Sequence, residues 1–493
     1  MTRGIDDLDE SQVRQAAKLL ERENERLVRR VLELEQTLNT VQGRSISQME
    51  LLADIEHQLA LRNKMVFGNS SEKRGKPEPA AEEKPQTGHG PREQVELAHV
   101  EREYELDDAD KVCTSCGGSL SEMAGQFEES EEIDTLERQF VVVHHKRKKY
   151  RCTCGGCIET ALGPDKLIPG GRYSVDFAVS VAIAKYADHL PLERQVRVMK
   201  RQGLVIDSQT LWDQLNALAK WLTPAHEALH DHVLAQPVIG ADETFWRLME
   251  NGGDNKRWQT WAIVAPEAVS YRICDSRSAE AAGEVLRDYA GTVLCDGYAA
   301  YESLRKRGGK FQLAHCWAHV RRKFIEAEEV STGPCGEVLE LIGKLYEVER
   351  DCQSDAERAD ARRERSAALV RQIQSWALQQ QALPQSPLGK AIAYMGSLWT
   401  GLQRFIDEPR LALDNNATER ALRGVVLGRK NHYGSRSERG TEVAALFYSL
   451  IESAKLAGVE PDAYLRRAAR AAIRGGLVPL PHQAVDGAAT LPG

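Results

Sequence analysis

Five short runs rich in β-branched and aromatic residues constrain the fold of this chain most strongly: PVIGADETFWRLM (237–249), RWQTWAIVA (257–265), AVSYRICDS (268–276), GTVLCDGY (291–298) and FQLAHCWAH (311–319). Turn signals divide them, and a helical segment from Ser278 to Tyr289 precedes the fourth. Three strands, a helix and further strands specify a mixed α/β sheet. Asp242 follows Val238-Ile239-Gly240-Ala241, and Asp296 follows Val293-Leu294-Cys295, so each acid ends or borders a buried strand. A lone acid in that position is ordinarily a turn or a helix cap. Two in one sheet are different, because adjacent strand ends bring the carboxylates together. Like charges that close raise one pKa unless a cation lies between them. Mg²⁺ suits such a site, since it prefers oxygen ligands and keeps several waters.

A third acid lies in DNNATERALRGVVLGRKN (414–431), where Glu419 sits among Arg420, Arg423, Arg429 and Lys430. Asn415 or Asn416 is expected to cap this helix and Gly428 to end it, with Leu422, Val425 and Val426 as its apolar face. Taken alone, Glu419 and Arg423 at i,i+4 read as a surface ion pair of a few tenths of a kcal/mol.

The rest of the chain surrounds this core with other modules. Its 493 residues suggest about three domains, and an apolar content of 42% suffices to build real cores. Val13, Leu20, Leu27, Leu34 and Val41 occupy heptad position d, and Ala17, Asn24, Val31 and Leu38 occupy a. Asn24 inside a Leu-at-d zipper favours a parallel two-stranded register, so self-association through residues 13–41 is expected. Residues 69–94, rich in Pro, Gly and charge, read as a flexible linker. The opening MTRGIDDLDE lacks the apolar core of a signal peptide, and no stretch approaches the roughly 20 apolar residues of a membrane span. Ten cysteines, clustered rather than spread, in a chain expected in a reducing compartment, therefore point to metal ligation rather than disulfides. CTSCGG (Cys113, Cys116) and CTCGGC (Cys152, Cys154, Cys157) form two knuckles of a tetrahedral zinc ribbon. There is one thiol too many; Cys154 and Cys157 have the better spacing, with Cys152 the alternate.

Between Ser174 and Leu222 the periodicity is helical. A short helix bearing Arg194, Arg197, Lys200 and Arg201 meets a turn at Gly203, and Asp207-Ser208 caps the next helix. This is helix-turn-helix grammar, and also that of an ordinary helical domain. A net charge of −8 argues mildly against a nucleic-acid partner, but binding depends on local patches. HHKRKKYR (144–151), RQVRVMKR (194–201) and RRAARAAIR (466–474) supply them. From Phe324 to about Ile406 the chain is helical and charged. Cys316 and His319 would need two further metal ligands that the local sequence does not supply, so a structural role near the acids is expected.

Read together, these blocks resemble a known family. GADETFWRL, SRSAEAAGEVLRDYAGTVLCDGYAAY, CWAHVRRKF, KLYEVE, LDNNATERALRGVVLGRKN and ALFYSLIESAKLAGVEPDAYL are similar to the DDE transposase of the bacterial insertion sequence 66 family. VFGNSSEK, the cysteine knuckles and GGRYSVDFAVSVAIAKYADHLPLERQ are similar to its zipper, zinc-finger and helical DNA-binding regions. The likeness runs from about residue 10 to residue 470. It implies a catalytic triad of Asp242, Asp296 and Glu419 on an RNase H-like α/β core with a mixed sheet, interrupted by an all-α insertion. The three carboxylates would hold two Mg²⁺ (or Mn²⁺) ions. One structural Zn²⁺ would sit in the ribbon. Arg321, Arg322, Arg420, Arg423, Arg429 and Lys430 would grip DNA, both transposon ends and target.

The expected order is a multidomain one: a coiled coil over 1–68, a linker over 69–97, a zinc ribbon over 98–168 and a helical DNA-binding region over 169–232. The first part of the core then spans 233–331, the insertion 332–405, the second part of the core 406–444 and a C-terminal helical segment 445–493. A homodimer or higher oligomer, accessory proteins of the same element and a cytoplasmic, nucleoid-associated location complete the expectation. The alternatives are a structure-specific nuclease without strand transfer, or a domesticated DNA-binding protein that no longer catalyses.

Overall fold

The computed structural model describes residues 119, 140–151, 157–249 and 256–484. The expected coiled coil, the linker, and Cys113, Cys116, Cys152 and Cys154 lie outside those residues. From Phe140 onward the described chain belongs to one packed unit. It opens with a small antiparallel ribbon, β1 (Lys149–Arg151) and β2 (Ile158–Thr160), in which Arg151 faces Ile158 across the second cysteine knuckle. Cys157, the described knuckle cysteine, is exposed, and its thiol lies 3.6 Å from Glu159 Oε1.

Three helices follow: α1 (Val175–Tyr186), α2 (Leu192–Arg201) and α3 (Ser208–Leu234). The local signals act as the sequence suggests. Gly203 takes the left-handed conformation at φ 85° that a side chain disfavours, and the Asp207 carboxylate caps α3 by accepting the Thr210 N–H at 2.6 Å. The longer-range use of α3 is not visible in that grammar. It runs for 27 residues, and its second half braces the sheet. His226 Nε2 lies 3.1 Å from Ser449 Oγ, and His230 meets Ser270 Oγ at 2.9 Å and the Val285 carbonyl at 3.0 Å. The helices of 169–232 thus share one hydrophobic core with the sheet.

The sheet comprises β3 (Val238–Leu248), β4 (Lys256–Val264), β5 (Val269–Cys274), β6 (Thr292–Cys295) and β7 (Gln312–His315), in spatial order β5-β4-β3-β6-β7. β3, β4 and β5 pair antiparallel; β3, β6 and β7 pair parallel. Parallel neighbours need a crossover, and α4 (Ala279–Leu286) and α5 (Ala299–Lys306) lie in those connections. The mixed α/β sheet expected from the five runs is therefore present, each strand within a few residues of its sequence run.

A helical layer then interrupts the core: α6 (Trp317–Glu328), α7 (Thr332–Asp351), α8 (Asp355–Ala361), a π-helical turn at Arg362–Ser366, α9 (Ala367–Gln379) and α10 (Pro387–Leu402). It builds a second hydrophobic core, with Phe324, Ile342, Ile373 and Met395, to which Leu294 and Ala314 of the sheet contribute. Helix α6 packs into this layer through Trp317, Val320 and Phe324. The return to the sheet is fixed by a buried guanidinium. Arg362 pairs with Glu349 at 2.7 Å and donates to the carbonyls of Phe405, Glu408 and Leu411 at 2.7–2.8 Å.

Helices α11 (Asn416–His432), α12 (Glu438–Leu456) and α13 (Pro461–Ile473) close the described chain. Serines of α12 bond the edge strand: Ser449 Oγ accepts the Tyr271 N–H at 2.8 Å, and Ser453 Oγ accepts the Val269 N–H at 2.9 Å. One expectation is corrected here. Gly428 does not end α11, which continues to His432 and stops at Tyr433, itself left-handed, and Gly434. Gly428 is buried inside the helix, where a Cβ would stand 1.8 Å from Tyr448 Oη. Its small size permits close packing of α11 on α12 and does not serve termination. Among the described residues no helix is long and apolar enough to cross a membrane.

Candidate active site

The strand register brings the two aspartates together. In the parallel pair β3–β6, Gly240 lies opposite Leu294. Two residues beyond that pair come Asp242, still inside β3, and Asp296, the residue that follows β6, and strand alternation puts Asp242 on the face that Gly240 shares. Helix α11 lies on that same face. A Cβ at Gly240 would stand 2.1 Å from Thr418 Oγ1 and 3.0 Å from Asn415 Oδ1, so only glycine admits the first turn of α11 there. Asn415 does not cap the helix with its side chain; its Nδ2 donates to the Ala241 carbonyl at 3.1 Å. Asp414 Oδ1 instead accepts the Asn416 N–H at 3.1 Å. The start of α11 is thereby stitched to β3 beside Asp242, and Glu419 arrives in its first turn.

Each acid has a local donor or neighbour. Asp242 Oδ1 accepts the Glu243 N–H at 2.8 Å, and Asp296 Oδ1 accepts the Tyr298 N–H at 2.8 Å. Glu419 Oε1 lies 3.6 Å from His319 Nε2, and Glu419 forms no ion pair with Arg423. Burial pushes the Asp242 carboxyl up to about 7, and the nearby carboxylates of Glu243, Asp296 and Glu419 add to the rise. Asp242 thus feels both other predicted acids. Among the described residues no three Asp, Glu, His or Cys side chains are grouped closely enough to hold a metal ion as they stand.

Cys316 and His319 join α6 to this corner. The buried Cys316 Sγ accepts the Asn415 N–H at 3.2 Å, and the Trp317 N–H donates to the Leu413 carbonyl at 2.9 Å. Burial raises the Cys316 thiol to about 11. These bonds tie the segment entering α11 to the start of α6 and present His319 to Glu419.

The cations divide into two groups. Arg420, Arg423 and Lys430 are exposed on α11 and have no acidic partner among the described residues. Arg429 is engaged by the fold: it donates to the Phe245 carbonyl and to Thr244 Oγ1 (3.3 Å), with its guanidinium 5.2 Å from the Phe245 ring centroid. Arg321 and Arg322 are half-buried on α6. The structure also places Tyr298 and Thr418 at the site, and Glu243 with Arg277 behind it on the other face of β3, none of which the sequence singled out. The adjacent acids of ADE (241–243) were the one available signal.

Comparison with known proteins gives this arrangement a context. The family described as "Transposase IS66 family" matches residues 170–443, a span that includes all three acids. The zinc-finger binding domain of transposase IS66 matches residues 110–155. Three uncharacterized proteins of Sinorhizobium fredii are similar over most of their length. Protein y4jD is 33% identical over 381 residues, covering 73% of this chain and 74% of its own. Protein y4qI is 30% identical over 405 residues (78% and 74%), and y4hP is 28% identical over 394 residues (74% and 71%).

Proposed function

The chain belongs to the IS66 transposase family, and from that premise we propose that it is a DDE-type transposase that cuts transposon ends and joins them to target DNA. One observation carries the reading: Asp242 of β3 and Asp296, just past the end of the parallel neighbour β6, follow the same register pair, and the first turn of α11, packed on Gly240, brings Glu419 near Asp242. An RNase H-like core accounts for the strand order and for the position of the helical layer between the second and third acids.

The oxygen donors are of the kind that hard divalent cations take, and the three carboxylates would have to draw closer than they stand to share one. Three carboxylates, one of them held up to about 7 by burial and by its neighbours, are what a cation between them relieves. Asp242, Asp296 and Glu419 would hold Mg²⁺ or Mn²⁺, and two such ions supply activation of the attacking oxygen and stabilisation of the leaving one. The chain's own residues do the rest. Arg420, Arg423 and Lys430 meet backbone phosphates, with Arg321 and Arg322 at the flank. In the first step water breaks the P–O3′ bond at the transposon end and frees a 3′-hydroxyl. In the second, that oxygen attacks a target phosphorus, one phosphodiester forms as another P–O3′ bond breaks, and the proton released by the attacking hydroxyl is balanced by one that the departing 3′-oxygen takes up from solvent.

Beyond the core, Cys113 and Cys116 hold one structural Zn²⁺ with two of Cys152, Cys154 and Cys157. The zinc-finger match over residues 110–155 covers Cys113, Cys116, Cys152 and Cys154, and Cys157 lies two residues beyond it. Residues 13–41 dimerise the chain and help hold two ends together, and accessory proteins of the element act with it at the nucleoid. The test is a strand-transfer assay with the element's own terminal repeats, a target plasmid and Mg²⁺. Nicked 3′ ends and joined products are expected. Cleavage without joining would point to a nuclease, and binding with neither product to a non-catalytic DNA-binding protein.

A further inference from the structure

Glu243 is a second carboxylate directly beside Asp242, and the reaction proposed above does not use it. Strand alternation turns it to the opposite face of β3, where its side chain is 1% exposed. Both of its oxygens are engaged. Oε1 accepts from Arg277 Nε at 2.8 Å and Nη2 at 2.5 Å, and Oε2 accepts from Tyr301 Oη at 3.1 Å. Arg277 comes from the segment between β5 and α4, and its guanidinium carbon lies 3.8 Å from the centroid of the Tyr298 ring. Tyr298 closes the circuit. Its hydroxyl donates to the Arg277 carbonyl at 2.9 Å, and its N–H donates to Asp296 Oδ1 at 2.8 Å. The contacts therefore run without a break from the residue after Asp242 to the oxygen of Asp296.

We propose that Arg277 is a positioning residue of the reaction: it cancels the charge of Glu243 next to Asp242 and fixes, through Tyr298, the amide that orients Asp296. The proposal rests on the transposase reading. Its physical basis is that a buried carboxylate stripped of its only cationic partner leaves an uncompensated charge. Here that charge would be a fourth negative group beside three that must share cations. A guanidinium suits the task because it forks onto one carboxylate while stacking on an aromatic face, which a lysine ammonium cannot do.

The test compares the full-length wild type with R277M, E243Q and R277M/E243Q. The readouts are single-turnover end cleavage across a Mg²⁺ titration and Mn²⁺ affinity by calorimetry. R277M is expected to slow cleavage on the order of a hundredfold, the scale of a small misplacement of reacting groups, and to change the Mn²⁺ affinity. E243Q should stay near the wild-type rate, since its amide oxygen still receives Arg277. The double variant should recover part of both losses, because the uncompensated charge is gone while the guanidinium under Tyr298 is still missing; a purely packing role for Arg277 would allow no recovery. A double variant as slow as R277M, or unfolded, overturns the proposal. So does a wild-type-like R277M, or an E243Q that binds ends without cutting them. If R277M does not fold, the double variant decides alone. A wild type that cuts no ends would instead refute the transposase reading.

Discussion

Asp242→Asn should make the folded chain more stable at pH 8 while removing its activity. The Asp242 carboxyl is raised from the ordinary 3.8 to about 7, first by burial and then by the carboxylates around it. The folded chain thus keeps a proton over a range in which the unfolded chain has released it. By linkage, stability falls as pH rises from about 4 to about 7, and the penalty is complete above that window. A change of that size corresponds to roughly 4 kcal/mol. Partial solvent access reduces it, so a gain of about 2–4 kcal/mol is expected for the neutral amide at pH 8. Asn retains an oxygen that can accept the Glu243 N–H, so little else changes. Urea denaturation at pH 8 and pH 4.5, without added divalent cation, measures the difference. A gain at pH 8 several times the gain of about 1 kcal/mol or less that remains at pH 4.5 is the predicted pattern. No gain at pH 8, or an equal gain at both values, would show that the folded chain does not hold the Asp242 proton.

Gly240→Ala should destabilise the chain by about 1–3 kcal/mol through overpacking and slow cleavage far more, because the new methyl pushes Thr418 and the turn bearing Glu419 away from Asp242. Adding Thr418→Ala should restore both, as read by urea denaturation and single-turnover cleavage. Neutralising Arg420 and Arg423 to Gln should weaken DNA binding across sequences and flatten the salt dependence of the affinity, with a slope change of about 0.9 for each phosphate no longer neutralised; fluorescence anisotropy over a salt series reads it. Freshly purified protein should contain one equivalent of zinc, lost in Cys113→Ser and Cys116→Ser, and chelation should weaken specific end binding. Metal analysis of Cys152→Ser and Cys157→Ser then identifies the remaining ligand.

The sheet was legible because its strands are written in local sequence: apolar, β-branched runs such as Val238–Ala241 and Thr292–Cys295 admit few other conformations. The strand position of Asp296 was legible for the same reason, since it directly follows β6, whereas β3 runs on past Asp242 to Leu248, so that Asp242 lies inside its strand rather than at its end. Glycine in α11 was read less well. A C-terminal glycine and a packing glycine look alike in sequence, and only the approach of Tyr448 distinguishes Gly428 from a helix stop. Asn415 shows the same ambiguity, because the residue before a helix can cap it or reach across to another element, here the Ala241 carbonyl. The helix-turn-helix grammar of α2 and α3 was local and present, yet it carried no trace of His226 and His230 bracing the sheet. Least legible was the Glu243–Arg277–Tyr298 circuit. Its members are far apart in sequence and obey no periodicity, so only the fold brings them together.

The proposed reaction requires Asp242, Asp296 and Glu419 to act as one set on DNA. It is tested most directly by single-turnover cleavage of a labelled transposon end in Mg²⁺ by Asp242→Asn, Asp296→Asn and Glu419→Gln, each with its end-binding affinity measured in parallel. All three should bind the end nearly as the wild type does, and none should cut it. Cleavage at the wild-type rate by any one of them would remove that carboxylate from the reaction and leave the proposed set of three without one of its members.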